Sequence, residues 1–224
     1  MRGPTERVLQ APASGVSLPT RLVVPEGARG VVVVPYPDIA AADNDLGRRV
    51  VDAFAPLRLA TMFVEPWTSE ERSAVLDAHI AADRLVAAIY WIVREEPLHE
   101  LPIGLFGIEP TSEAVLAAAA ALSDVVRAVV AAGGQPRLGS EALGRIEAPT
   151  LLIAPSRDAA GLACHRATLG ELHVDKKLEV LGGIETVAAG VGASRAARLA
   201  ARLFDRHLDI PKIPGHTSHV RPRV

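Results

Sequence analysis

Short, almost uninterrupted apolar runs alternate with longer amphipathic stretches along this chain. Residues 31–34, 59–64, 103–106, 125–130, 150–153 and 178–181 are rich in Val, Ile and Leu and are bounded by Gly, Pro or Asp. The runs at 31–34 and 59–64 read as strands buried on both faces, and the other four read as strands. Between them lie helical patterns at 44–57, 69–94, 112–122, 162–169 and 194–207. Leu46, Val50, Val51 and Phe54 give the first an apolar side, and Val75, Leu76, Ile80, Leu85, Ile89 and Ile92 do so for the second. Residues 15–25 alternate as edge strands do, and Pro19 favours an edge or a turn over a sheet centre. Strands alternating with helices predict an α/β fold, a doubly wound and mostly parallel sheet with helices on both faces. One domain is expected over residues 8–208, with a polar, proline-containing tail over 209–224.

Composition narrows the classes. The 224 residues suffice for one buried domain, and 49% apolar content with a net charge of -2 fits a globular chain. No basic run suggests nucleic acid, and no apolar run reaches the length of a membrane span. Residues 1–7 lead into no apolar signal segment. Cys164 is the one cysteine, so an internal disulfide is excluded and a cytoplasmic location is expected.

Doubly wound sheets place reactive groups beyond the carboxyl ends of their strands. That rule selects Tyr36, Asp38, Glu65, Glu109, Asp158 and Thr186, with Ile108, Trp67 and Glu185 beside them. No glycine-rich phosphate loop or dinucleotide fingerprint follows the first strand, so no cofactor is expected. The histidine spacings do not form a structural zinc pattern, so no metal is expected either. His165 and His173, close to Cys164, could reach the cleft or could simply pack.

Gly15-Val16-Ser17-Leu18, the stretch from Leu22 to Gly30, Leu105-Phe106-Gly107, the run from Val125 to Val130, Ala148-Pro149-Thr150-Leu151-Leu152-Ile153 and Lys177-Leu178-Glu179-Val180 follow one another in a familiar order. On these segments the chain resembles the dienelactone-hydrolase-like branch of the α/β-hydrolases over roughly residues 8–208. The resemblance implies a nucleophile elbow of the form Gly-x-Ser/Cys-x-Gly. Here Gly107 matches the first glycine, Glu109 falls on the nucleophile, and Pro110 and Thr111 follow. Pro35-Tyr36 stands where the family often has His-Gly, and Asp158 matches the family's acid. Gly183-Ile184-Glu185-Thr186 puts Thr186 at the expected histidine.

A Ser-His-Asp device needs a nucleophile, a base and a group that orients the base. Glu109 forms no alkoxide. A carboxylate there can move a proton, or attack carbon as aspartates do in epoxide hydrolases and haloalkane dehalogenases of this fold. Ser112, a turn further on, reads as a helix-start hydroxyl or a displaced nucleophile. The marginally preferred reading is a cofactor-free small-molecule catalyst of isomerase, lyase or cyclase type. Its catalytic set would be Glu109, Asp158, Glu65 and Tyr36, with Asp38, Ile108, Trp67, Glu185 and Thr186 contacting a small organic substrate. The alternatives are an inactive pseudo-hydrolase acting as a binding or scaffold protein, and an atypical hydrolase using Glu109. An edge strand or the last helix could support a homodimer.

Overall fold

The apolar runs become strands because their aliphatic, often β-branched side chains pack well on a pleated sheet. In the computed structural model, which describes residues 4–13, 15–37, 45–68, 70–71, 77–94 and 98–208, eight strands form one sheet. They are β1 (Thr5–Ala13), β2 (Val16–Val24), β3 (Gly30–Pro35), β4 (Leu59–Val64), β5 (Ile103–Ile108), β6 (Val126–Ala132), β7 (Thr150–Pro155) and β8 (Lys176–Leu181). The order is β1-β2-β4-β3-β5-β6-β7-β8. The first two strands pair antiparallel, β2 is antiparallel to β4, and every other pairing is parallel. Residues of β3, β4, β5 and β7 are buried throughout, as their unbroken apolar runs require.

β1 has no counterpart among the apolar runs, because it is an edge strand with most side chains exposed. β2 is therefore not at the edge, although Pro19 favoured that place. Its pairing with β4 runs over Thr20–Val23, just past Pro19, so the missing N–H breaks no bond of that ladder. The Pro19 carbonyl instead accepts from the Glu65 N–H at 3.0 Å.

Helices cover both faces. On one side α1 (Asp45–Phe54) packs against α6 (Gly190–His207). On the other α2 (Ala78–Ile92) packs on α3 (Ser112–Ala121), followed by α4 (Ser140–Leu143) and α5 (Ala159–Glu171). The long helix expected from residue 69 begins at 78, because the Asp77 carboxylate accepts from the His79 and Ile80 N–H groups and caps it. Val75 and Leu76, expected on its apolar side, lie outside the described residues. The tail expected over 209–224 also lies outside them.

The sheet separates two apolar clusters. The α1/α6 side centres on Phe54, Phe106 and Phe204, with ring centroids 5.6–6.4 Å apart. The other side is mainly aliphatic, with Trp67 among its buried residues, and is built on α2, α3 and strands β2, β4, β5 and β6. Among the described residues no helix is long and apolar enough to cross a membrane. Because β3 to β8 run in one direction, the loops after them meet along one edge.

Candidate functional site

Glu109 follows β5 directly. Its N–H extends the ladder to the Ala132 carbonyl at 2.9 Å, and the peptide to Pro110 is cis. Thr111 is buried, and its hydroxyl donates to the Ile108 carbonyl at 2.8 Å while accepting from the Ile108 N–H at 3.1 Å. This closes the turn, and α3 starts at Ser112. Ser112 is buried at that start.

The Glu109 carboxylate meets donors from the loops after β6 and β8. Oε2 accepts from the Gly134 N–H at 3.1 Å. Oε1 accepts from the Val187 N–H at 3.2 Å and from the Thr186 hydroxyl. The loops after β5, β6 and β8 are thus joined through one carboxylate. Thr186 Oγ1 also accepts from the Ala188 N–H at 3.0 Å, which fixes the approach to α6. Gly133 and Gly134 both have positive φ, at 65° and 68°. A Cβ on Gly133 would stand 2.7 Å from Glu109 Oε2 and 2.5 Å from Val187 Cγ2, so only glycine admits the carboxylate here.

Asp158 lies at the same edge in a different role. It caps α5, accepting from the Gly161 N–H at 2.9 Å. Glu185 is exposed and pairs with Arg157 at 3.6 Å. Arg157, Ile184, Glu185, Thr186, Val191 and Gly192 line a shallow open groove of about 300 Å³ beside the Glu109 contact.

The remaining candidates have other surroundings. Tyr36 is buried in the aromatic-side cluster, its ring edge-on to Phe63 at 5.7 Å. Ile108 belongs to that cluster too. Trp67 is buried on the opposite side, with Nε1 donating to the Asp77 carbonyl at 3.4 Å. Glu65 is buried after β4. Asp38 lies outside the described residues. The structure therefore joins Glu109 to Thr186 directly and puts Tyr36, Ile108 and Trp67 into the packing beneath the edge. Among the described residues no cluster of three His, Cys, Asp or Glu could hold a metal.

Two contributors were not singled out from the sequence as site residues: the Gly133-Gly134 turn and the Val187 N–H. The glycine pair after a strand was a readable signal, whereas a backbone donor has none. His165 is fully buried on α5, with Nε2 3.1 Å from the Gly133 carbonyl. Its Nδ1 is buried without a hydrogen-bond partner. Burial lowers the ring's pKa, against the opposing effects of the Gly133 carbonyl and the charges of Asp158 and Glu109.

An eight-stranded, mostly parallel sheet with helices on both faces and convergent loops at its carboxyl edge defines the α/β-hydrolase fold. The chain belongs to the dienelactone hydrolase family. It is 31% identical to a dienelactone hydrolase from Anabaena variabilis, with a TM-score of 0.85 over 92% of this chain and 100% of that one. A cold-adapted esterase from an Arctic intertidal metagenomic library shares the fold at 14% identity, with a TM-score of 0.70 over 92% of this chain and 95% of that one. Two strains of Mycobacterium tuberculosis carry a relative, provisionally named a phosphoribosyl transferase, that is 32% identical over 204 residues. That match covers 89% of this chain and 46% of the relative, so the chain spans about half the length of these curated relatives. No family model matches the chain.

Proposed function

We infer that this is a hydrolase-family domain that acts by binding rather than by cleaving esters or lactones. The observation that carries this reading is the Glu109 carboxylate, which accepts from the Thr186 hydroxyl and the Val187 and Gly134 N–H groups. In a serine hydrolase the elbow side chain gives its proton to a histidine from the loop after the last strand. On the family's pattern, Glu109 and Thr186 occupy those two positions. Their hydrogen bond joins the same loops with the acceptor on the elbow and a hydroxyl donor where the histidine base would stand. A carboxylate aimed at donors of its own protein is poorly oriented for attack on a carbon centre. Asp158, on the family's acid position, caps a helix, which supports the same reading.

The groove beside Thr186 offers Arg157 and Glu185 for polar groups and Ile184 and Val191 for apolar ones, suited to a small organic molecule. The phosphoribosyl transferase name belongs to proteins of which this chain spans about half. Carboxylate acid/base catalysis, the reading preferred from the sequence, keeps one observation in its favour. Among the described residues Oε2 accepts a single hydrogen bond, leaving an acceptor position for a substrate.

Turnover of aryl esters, unsaturated lactones and epoxides by the wild type and Glu109→Gln at matched concentrations separates the two. The binding reading expects no turnover above the variant, with lactones shifting the amide resonances of Glu185, Thr186 and Val191. Saturable turnover that Glu109→Gln loses would instead establish the carboxylate as a reacting group.

A further inference from the structure

α5 buries a polar stripe. Its buried residues are Gly161, His165 and Thr168, spaced i, i+4, i+7 on one face. All three meet backbone carbonyls of the segment after β6. Gly161 approaches so closely that a Cβ would stand 2.8 Å from the Gly134 oxygen. His165 Nε2 lies 3.1 Å from the Gly133 oxygen, and Thr168 Oγ1 donates to the Pro136 carbonyl at 3.5 Å. The same segment supplies the Gly134 N–H that donates to Glu109. The helix is therefore fastened, through a histidine, to the turn that holds the carboxylate.

A carbonyl can only accept, so Nε2 carries the proton and Nδ1 is a bare acceptor in the neutral ring. Adding a proton at Nδ1 creates a cation and a second donor with no acceptor, inside a site with no exposure. The charged groups around the ring are few. Asp158 and Glu109 are close enough to favour the cation, and burial outweighs them. β7 has no charged residue. On β8 the Lys176 amine turns to the Leu172 carbonyl and Lys177 pairs with Glu179. On α4 the Glu141 carboxylate pairs with Arg145. On α5 itself Arg166 is exposed.

We propose that His165 is a proton-sensitive latch on the Gly133-Gly134 turn. The neutral ring holds α5 against the turn and Gly134 against Glu109, and acid opens that contact locally. This regulates the site described above and rests on the Glu109 contacts being formed. The sign follows from linkage. The folded ring binds its proton more weakly than an exposed histidine, so the opened form takes up the proton as pH falls below about 6.5. Opening then grows by up to about tenfold per pH unit until the ring titrates in the closed form as well.

The test is amide hydrogen exchange by NMR on the wild type, His165→Gln and Glu109→Gln between about pH 7.5 and about pH 5. Glutamine can still donate to the Gly133 carbonyl but does not titrate. After correction for intrinsic exchange, Gly134 protection in the wild type is expected to fall by about tenfold or more across that range. It should stay level in His165→Gln, and Val187, bonded to the other carboxylate oxygen, should keep its protection. Level Gly134 protection in the wild type would overturn the latch. So would parallel loss at Gly134 and Val187 that persists in His165→Gln, since the proton would then act on a carboxylate. The imidazole carbon signals of wild-type His165 give a second reading that needs no variant: their midpoint must lie below the ordinary histidine value, at the pH where the loss of Gly134 protection levels off. Glu109→Gln at about pH 7.5 tests the underlying contacts separately. Unchanged Gly134 and Val187 protection there would remove the carboxylate contact itself, whatever the histidine does.

Discussion

Replacing Glu109 by Gln and Thr186 by Val, singly and together, measures the bond between the loops after β5 and β8. The glutamine amide keeps one acceptor oxygen, so it can serve either the Thr186–Val187 side or Gly134, but not both. One backbone N–H then faces an amide NH₂ and is left unpaired in a half-buried site. A hydrogen bond to a charged group contributes roughly 1.5–3 kcal/mol, and a buried donor left unpaired costs a similar amount. Because Glu109 is only half-buried, a loss of about 2 kcal/mol is expected for Glu109→Gln. In a chain of this size that lowers Tm by about 4–8 °C. Thr186→Val removes one donor at an exposed residue, where water can replace the hydroxyl, so about 1 kcal/mol is expected. The double variant should fall short of the sum by about 1 kcal/mol, the coupling between the two side chains. Urea unfolding followed by circular dichroism gives all four free energies. Additivity within about 0.3 kcal/mol would refute the claim that these two residues bond to each other.

Three further outcomes follow from other parts of the structure. Gly133→Ala combines a positive φ with a clash against Glu109 and Val187 and should cost at least about 2 kcal/mol by urea unfolding. Phe204→Ala empties the centre of the α1/α6 cluster and should cost about 3–5 kcal/mol in the same assay, with far-ultraviolet dichroism retained. The Glu71 carboxylate, bonded to both Arg84 nitrogens at 2.5 and 2.9 Å, is held at a pKa of about 2 by that guanidinium and the Thr68 N–H. Its contribution is present above the ordinary carboxylate value and is lost as pH falls through about 2. Glu71→Gln should flatten that part of the acid unfolding curve, and salt should shrink the difference because the pair is partly exposed.

The sheet was legible because buried parallel strands and helices impose different periods on the apolar residues. Six runs marked six strands, whose carboxyl ends share one edge. β1 escaped notice because an edge strand such as this one exposes Glu6, Arg7 and Val8 and leaves little apolar pattern. The start of α2 was misjudged because Asp77, a cap, reads in sequence like any polar residue of an exposed helical face. At the site, Glu109 and Thr186 stood out as departures from a family pattern. What they do to each other was not readable, since 77 positions separate them and the bond depends on the relative height of two loops. Tyr36, Ile108 and Trp67 were selected by place in the chain, and it is side-chain direction, alternating across each strand end, that sends them into the packing. From the sequence His165 could reach the cleft or pack, and which carbonyls after β6 its face would meet was not readable.

The most direct test is NMR detection of scalar coupling across the hydrogen bonds to Glu109, on deuterated protein labelled with ¹³C and ¹⁵N. Correlations from the Gly134 and Val187 amide nitrogens to the Glu109 carboxylate carbon are expected near neutral pH, and Thr186→Val should preserve the Gly134 correlation. No correlation from either amide, with the Glu109 carbon resonating as a free solvated carboxylate, would contradict the account and return Glu109 to the cleft as an unengaged acid.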